Sequence, residues 1–308
     1  MRADPQVTAE SAPAVSASPE PVARSRRNWL RGAIIGILIV ALIAAVAIWS
    51  QTSGAAGGAA TVQTNANAPS DRVDVTATVV RVDPTAGELL LRLQVIPRGG
   101  LTTEGGLSPA EDLEILTSRA MKSDPFFPAL ERIGTVDVPV ALGGSGITAY
   151  PFDRYTATLE FTAREGGETV PVNVTFTNRD ALFAAAADAY TEADAGVIEL
   201  GLSRSSGVLT FALFMIAAMW ALAIAVATAA WFLFSRKRGL VWPALGWMAA
   251  SLFAIAAFRN AAPGAPPIGS LIDYLAFFWA EAIIAVCVFL TAMGGVRQEV
   301  AAESAPHA

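Results

Sequence analysis

The residues with the most chemical character in this chain lie in three places. Tyr150-Pro151-Phe152-Asp153-Arg154-Tyr155 gathers three aromatic rings, an acid and a base into six positions. Asp153 can accept bonds from nearby backbone N–H groups or pair with Arg154. Pro151 restricts Tyr150 to extended backbone. The rings can anchor the loop on a β domain or at a membrane surface. Two readings follow: a structural corner at the start of a strand, or a loop that meets a partner or the membrane. The second place is Arg259-Asn260-Ala261-Ala262-Pro263-Gly264-Ala265-Pro266-Pro267-Ile268-Gly269, a shaped Pro/Gly turn followed by Asp273. Arg259 ends one apolar segment and Asp273 begins the next, so they lie at similar depth and can pair. Asp273 also suits a helix N-terminus. The third is Glu281, about 12 Å further along a helix from Asp273 at the α-helical rise. A carboxylate at that depth is costly, so it must face other helices or be protonated. It is either a structural hydrogen-bonding group or the centre of proton-coupled transport or ligand binding.

Much common chemistry is missing. His307 is the only histidine and Cys287 the only cysteine. A histidine base, a Cys-His pair and an intramolecular disulfide are therefore not expected. There is no GxxxxGK[ST] phosphate loop, and Gly99-Gly100 and Gly143-Gly144-Ser145-Gly146 read as ordinary loops. No carboxylate pair is selected by spacing. The expectation is a non-enzymatic protein with no catalytic residues, no cofactor and no bound metal. A net charge of -6 gives no encouragement to nucleic-acid binding.

The elements around these residues are mostly apolar. The chain is 54% hydrophobic and only 16% charged, which excludes a wholly soluble protein. Four runs reach spanning length: residues 32–50, 209–234, 240–258 and 272–293. Basic clusters at Arg24, Arg26, Arg27 and Arg31 and at Arg236-Lys237-Arg238 mark the cytoplasmic side. Four crossings put both clusters on that side, with both termini inside and residues 51–208 outside. Residues 1–31 read as a disordered cytoplasmic arm, 51–71 as a flexible linker, 259–271 as an outer turn and 294–308 as a cytoplasmic tail. A cleaved signal peptide is the competing reading of the first run.

Residues 72–208 carry period-2 patterns at 72–82, 87–96, 112–118, 133–142, 155–164, 169–177 and 197–202. Glu165-Gly166-Gly167-Glu168 is a hairpin signal, and Pro139 favours an edge. About seven strands predict an extracytoplasmic antiparallel β-sandwich or partly open barrel between one N-terminal and three C-terminal transmembrane helices. The Ala-rich stretch 179–190 is expected to form a helix on its edge. The span 51–208 holds 20 acidic and 11 basic side chains, a net charge of -9, which reads as a solvated acidic surface or one that attracts a basic partner or divalent cations.

The YPFDRY stretch, the RNAAPGAPPIGSLID turn and the one-plus-three helix layout together resemble an uncharacterised family of actinobacterial, mycobacterial-type integral membrane proteins carrying a domain of unknown function. The resemblance covers roughly residues 70–295. It implies a high-GC Gram-positive envelope protein and no particular activity. YPFD also resembles the membrane-facing loop of pentameric ligand-gated channels, but the flanking cysteines are missing and the helix order differs. The preferred function is a membrane accessory or scaffold protein whose partners are membrane lipids and another envelope protein or complex. A small-solute, lipid or proton-coupled transport component using Glu281 is the alternative, and an envelope lipid- or polymer-processing enzyme is third. The YPFDRY loop is expected near the outer helix ends, with Asp153 pairing Arg259, or with Arg259 bridging Asp153 and Asp273.

Overall fold

The structure is a computed structural model. It describes Ala45 and residues 61–304, except 66–67, 104–105, 107, 119–123 and 237–240. The arm, most of the first apolar run, the first part of the linker and the end of the tail fall outside the described residues. So do Lys237 and Arg238 of the second basic cluster.

Among the described residues twelve strands precede the C-terminal helices: β1 Val62–Gln63, β2 Arg72–Asp83, β3 Glu88–Arg98, β4 Leu113–Thr117, β5 Phe126–Phe127, β6 Val136–Ala141, β7 Gly143–Gly144, β8 Arg154–Glu165, β9 Glu168–Val170, β10 Val172–Asn178, β11 Phe183–Glu192 and β12 Ala195–Arg204. They form two open sheets. One has the order β1-β10-β2-β3-β6; the other has β11-β12-β8-β4-β5, with β7 and β9 also on β8. Alternation explains the layering. Val73, Val75, Ala77 and Val79 face inward from β2, and Tyr155, Ala157, Leu159 and Phe161 from β8, into one buried cluster shared by both sheets. Pro139 sits on β6, an edge strand, where its missing N–H interrupts no central ladder.

Two expectations need correction. The ladder is not antiparallel throughout, because β10 pairs with β2 in parallel, Val172 opposite Val73. The Gly166-Gly167 hairpin does form, with Glu165 opposite Glu168. It lasts only through Val170. At Pro171 the chain leaves that sheet, and the Pro171 carbonyl accepts from Val73 N–H of the other sheet at 2.9 Å. Proline cannot donate to a ladder, so it suits a crossing point.

The second correction concerns 179–190, which is not a helix. Residues 183–192 are an edge strand paired with β12 along its whole length. Ala185, Ala187 and Ala189 pack on the core at period 2. A tight turn closes the pair, with Ala193 and Asp194 both in the left-handed region at φ 44° and 68°. Non-local pairing here overrides the helix preference of alanine.

The helices follow with one intervening residue. Ser205 caps α1, Ser206–Ser235, its hydroxyl accepting from Val208 N–H. Next come α2, Trp242–Asn260, a π-helical turn at Asp273–Phe277, and α3, Phe278–Glu303. The last helix continues well past Met293. Ser206–Ser235 and Asp273–Ala301 are long and apolar enough to cross a membrane. Val208, Ala212, Met215, Met219, Ala223 and Val226 form a buried stripe on α1, clustered with Ile272, Ala276, Ala280 and Ile284. The alanines allow close backbone approach, while large apolar side chains such as Trp231, Phe253 and Phe289 stay exposed. The chain is thus a membrane-associated protein with a distinct β-sheet domain followed by helices.

Candidate functional site

The inward alternation of β12 continues through Ile198, Leu200 and Leu202 to Arg204 at the strand end. That of β8 extends back through Tyr155 to Asp153. The pattern that builds the core therefore delivers an arginine and an aspartate, both buried, to its helix-proximal edge. Arg204 Nε donates to both Asp153 oxygens at 3.0 Å, and Arg204 Nη2 lies 2.9 Å from Asp153 Oδ2. Tyr155 Oη donates to Asp153 Oδ2 at 2.9 Å. The guanidinium carbon lies 4.2 Å from the Phe183 ring centre and 5.0 Å from that of Tyr150. These are cation–π distances, and burial strengthens such contacts.

Tyr150 is fully buried, and its cluster is that of the helices, including Val208, Ala262 and Ile272. The peptide bond between Tyr150 and Pro151 is cis, and Tyr150 has ψ 133°. Burial pushes the Tyr150 phenol up to about 12. Burial, and then the bond to Asp153, also raises the Tyr155 phenol. Neither the Tyr150 hydroxyl nor Arg204 Nη1 has a hydrogen-bond partner. Arg204 Nη1 instead lies against the backbone of the outer turn, where a Cβ added to Gly264 would sit 2.6 Å from it. Gly264 has φ +79°, a conformation that glycine adopts without strain.

Arg259 heads a second buried pair. Its Nε and Nη2 donate to the two Asp273 oxygens, both at 2.7 Å. Its Nη1 donates to the Pro266 carbonyl and its Nη2 to the Pro267 carbonyl, both at 2.9 Å. Asp273 also accepts from Gly269 N–H at 2.7 Å and from the Ser270 hydroxyl at 3.3 Å. This network staples the Pro-rich turn to both helices it joins.

The structure therefore brings Tyr150, Asp153 and Tyr155 to the helix-proximal edge and Arg259 to Asp273, but it does not pair Asp153 with Arg259. The partner of Asp153 is Arg204. Phe152 is half exposed and Arg154 and Asn260 are exposed, outside both networks. Arg204 lies just past the last expected strand, 197–202, and before the apolar run at 209–234, where no pattern assigns it a role. The available signal was its inward position after Ile198, Leu200 and Leu202, where a buried cation requires an acid.

Glu281 stands apart, with one carboxylate oxygen buried and without a hydrogen-bond partner. The π turn before it changes the helical pitch, so its depth below Asp273 is not a simple α-helical multiple. Trp220 Nε1 donates to the Leu275 carbonyl at 3.0 Å and Trp279 Nε1 to that of Tyr274 at 2.9 Å. These indoles satisfy carbonyls within the π turn. Among the described residues, no group of three or more His, Cys, Asp or Glu side chains is arranged to hold a metal ion.

The chain carries two domains of unknown function: DUF4436 over residues 63–202 and DUF8686 over residues 204–298. No curated protein matches it. Asp153 thus belongs to the first domain, and Arg204 is the first residue of the second match.

Proposed function

From a β domain whose helix-proximal edge is closed by a buried ion pair and packs against the helices, we propose a non-enzymatic membrane accessory or scaffold protein that presents its β domain to partners. The observation that carries this reading is the Arg204–Asp153 pair with Tyr150 beside it. The pair closes the ends of β8 and β12, and from that edge Tyr150 packs among the helices and Arg204 Nη1 lies against Gly264 of the outer turn. A buried pair of this kind is a poor source of net stability but holds geometry, because separating the partners strands a charge. In this reading residues 51–208 lie outside the cell, both termini are cytoplasmic, and the setting is an actinobacterial envelope. The partners are membrane lipids and another envelope protein or complex. The basic clusters that flank the apolar runs support the orientation.

A second reading is a proton-coupled or small-solute transport component. It is favoured by the unpartnered Glu281 oxygen among apolar helices. A photo-crosslinking residue at Tyr190, exposed on the β domain, separates the two. Repeated recovery of the same envelope protein is the expected result. A chain that crosslinks to no protein in cells, yet moves protons or a solute across liposomes in a manner abolished by Glu281→Gln, would replace the scaffold reading with transport.

A further inference from the structure

The outer side of the five-stranded sheet holds two concavities, about 340 Å3 and about 390 Å3, that meet at Gln94 and Thr135. Both volumes fall within the range of ordinary ligand sites, roughly 300–1,000 Å3. Thr76 and Thr78 of β2 line one, with Arg179 at its margin, and Arg132 borders the other. Pairing of β6 with β3 ends at Leu93, so no strand covers the adjoining edge of Gln94–Ile96 among the described residues.

Charge distinguishes this groove from the rest of an acidic domain: its lining includes Arg92, Arg132 and Arg179 and no carboxylate. Of the acids beside it, Asp137 is paired with Arg92 at 2.8 Å and Asp74 with Arg72 and Arg98, each at 2.8 Å. Arg132 and Arg179 are exposed, and among the described residues neither has an ion-pair or side-chain hydrogen-bond partner. Threonine hydroxyls and the Gln94 amide can both donate to and accept from sugar hydroxyls. Guanidinium forks suit carboxylate or phosphate. The lining contains no aromatic ring, so it offers no surface for stacking an apolar sugar face.

We propose that this groove binds an acidic oligosaccharide, its hydroxyls on Thr76, Thr78, Gln94 and Thr135 and its anionic groups on Arg132 and Arg179. The proposal goes beyond the presenting role and does not depend on a protein partner. The test uses the full chain in phosphatidylcholine nanodiscs, titrated with oligogalacturonate and with neutral maltohexaose. Saturable binding of the acidic oligomer, at least tenfold tighter than the neutral one, is expected. Arg132→Ala combined with Arg179→Ala should weaken it at least tenfold without changing the melting temperature. Arg154→Ala combined with Arg164→Ala, on the outer side of the other sheet, should change it less than twofold. Absent binding, equal affinity for both oligomers, or equal losses in the two double variants would each overturn the proposal. So would displacement of the oligomer by phosphatidylglycerol in the same nanodisc, which would assign the groove to lipid headgroups.

Discussion

Arg204 and Arg259 are both buried, and both face an aspartate, but they differ in what else they touch. Arg259 spreads its donors over Asp273 and two proline carbonyls within one turn. It closes a local loop and requires nothing from the β domain. Arg204 has Asp153, two ring faces and the Gly264 backbone, and its Nη1 has no hydrogen-bond acceptor. Those contacts come from three parts of the chain: Tyr150 and Asp153 from one loop, Phe183 from β11 and Gly264 from the outer turn. The same residue pair therefore serves as a staple of one turn in one place and, in the other, as a clamp on the ends of two strands from which Arg204 also reaches the outer turn. What separates the roles is how many backbone carbonyls stand ready to accept.

The largest break in this comparison should come from removing the acids. Asp153→Ala leaves Arg204 as a buried cation with two rings and the Gly264 backbone beside it but no acid, and should cost about 3–5 kcal/mol. Asp273→Ala should cost less, about 2–3 kcal/mol, because Pro266 and Pro267 continue to accept from Arg259. Equilibrium unfolding of both variants in mild detergent checks the order. An equal or larger loss at Asp273 would mean that the two sites are energetically alike.

A middle-sized effect is expected at Gly264→Ala. The new Cβ would meet Arg204 Nη1 at 2.6 Å in a residue held at φ +79°. A cost of about 1–3 kcal/mol follows from the backbone strain alone. The same unfolding assay should show this loss shrinking when Arg204→Met is combined with Asp153→Leu, since the clash then falls on a flexible uncharged side chain.

Tyr150→Phe sharpens the comparison with the smallest change. The hydroxyl has no partner, so stability at neutral pH should move by less than about 0.5 kcal/mol. The difference appears in alkali. The folded phenol is pushed from an ordinary 10.0 up to about 12. Its contribution is complete below 10 and is lost as pH rises through 12, because the unfolded chain releases the proton first. Tyr150→Phe should therefore move alkaline unfolding, followed by tryptophan fluorescence, to higher pH. An unchanged midpoint would show that Tyr150 titrates alike in both states.

Legibility in the sequence followed the range of the interaction. The alternation in residues 72–79 and 155–164 identifies β2 and β8 because one face of each is buried over that stretch, until a bulge after Val79 shifts the phase of β2. The Arg259–Asp273 pair was readable because a single turn separates its members. The Ala-rich edge strand was not, since its local preference is helical and only pairing with β12 decides otherwise. The partner of Asp153 lies 51 residues away, and no local spacing links the two. The π turn likewise leaves no periodic trace in a run that is apolar all round.

The crossing at Pro171 has a consequence for the order in which the domain can be completed. A ribosome delivers β2 and β3 early, and they form their hairpin from nearby residues. The other edge of β2 waits for β10, about a hundred residues later, and β1 then pairs on the far side of β10. Until residue 178 has emerged, a row of backbone donors and acceptors on β2 stays open, the kind of edge that recruits strands from other chains. Long-range parallel pairing is also slow to form. The nascent domain is thus most prone to aggregate in the interval between synthesis of β3 and synthesis of β10, when a chaperone that shields strand edges would have its greatest effect.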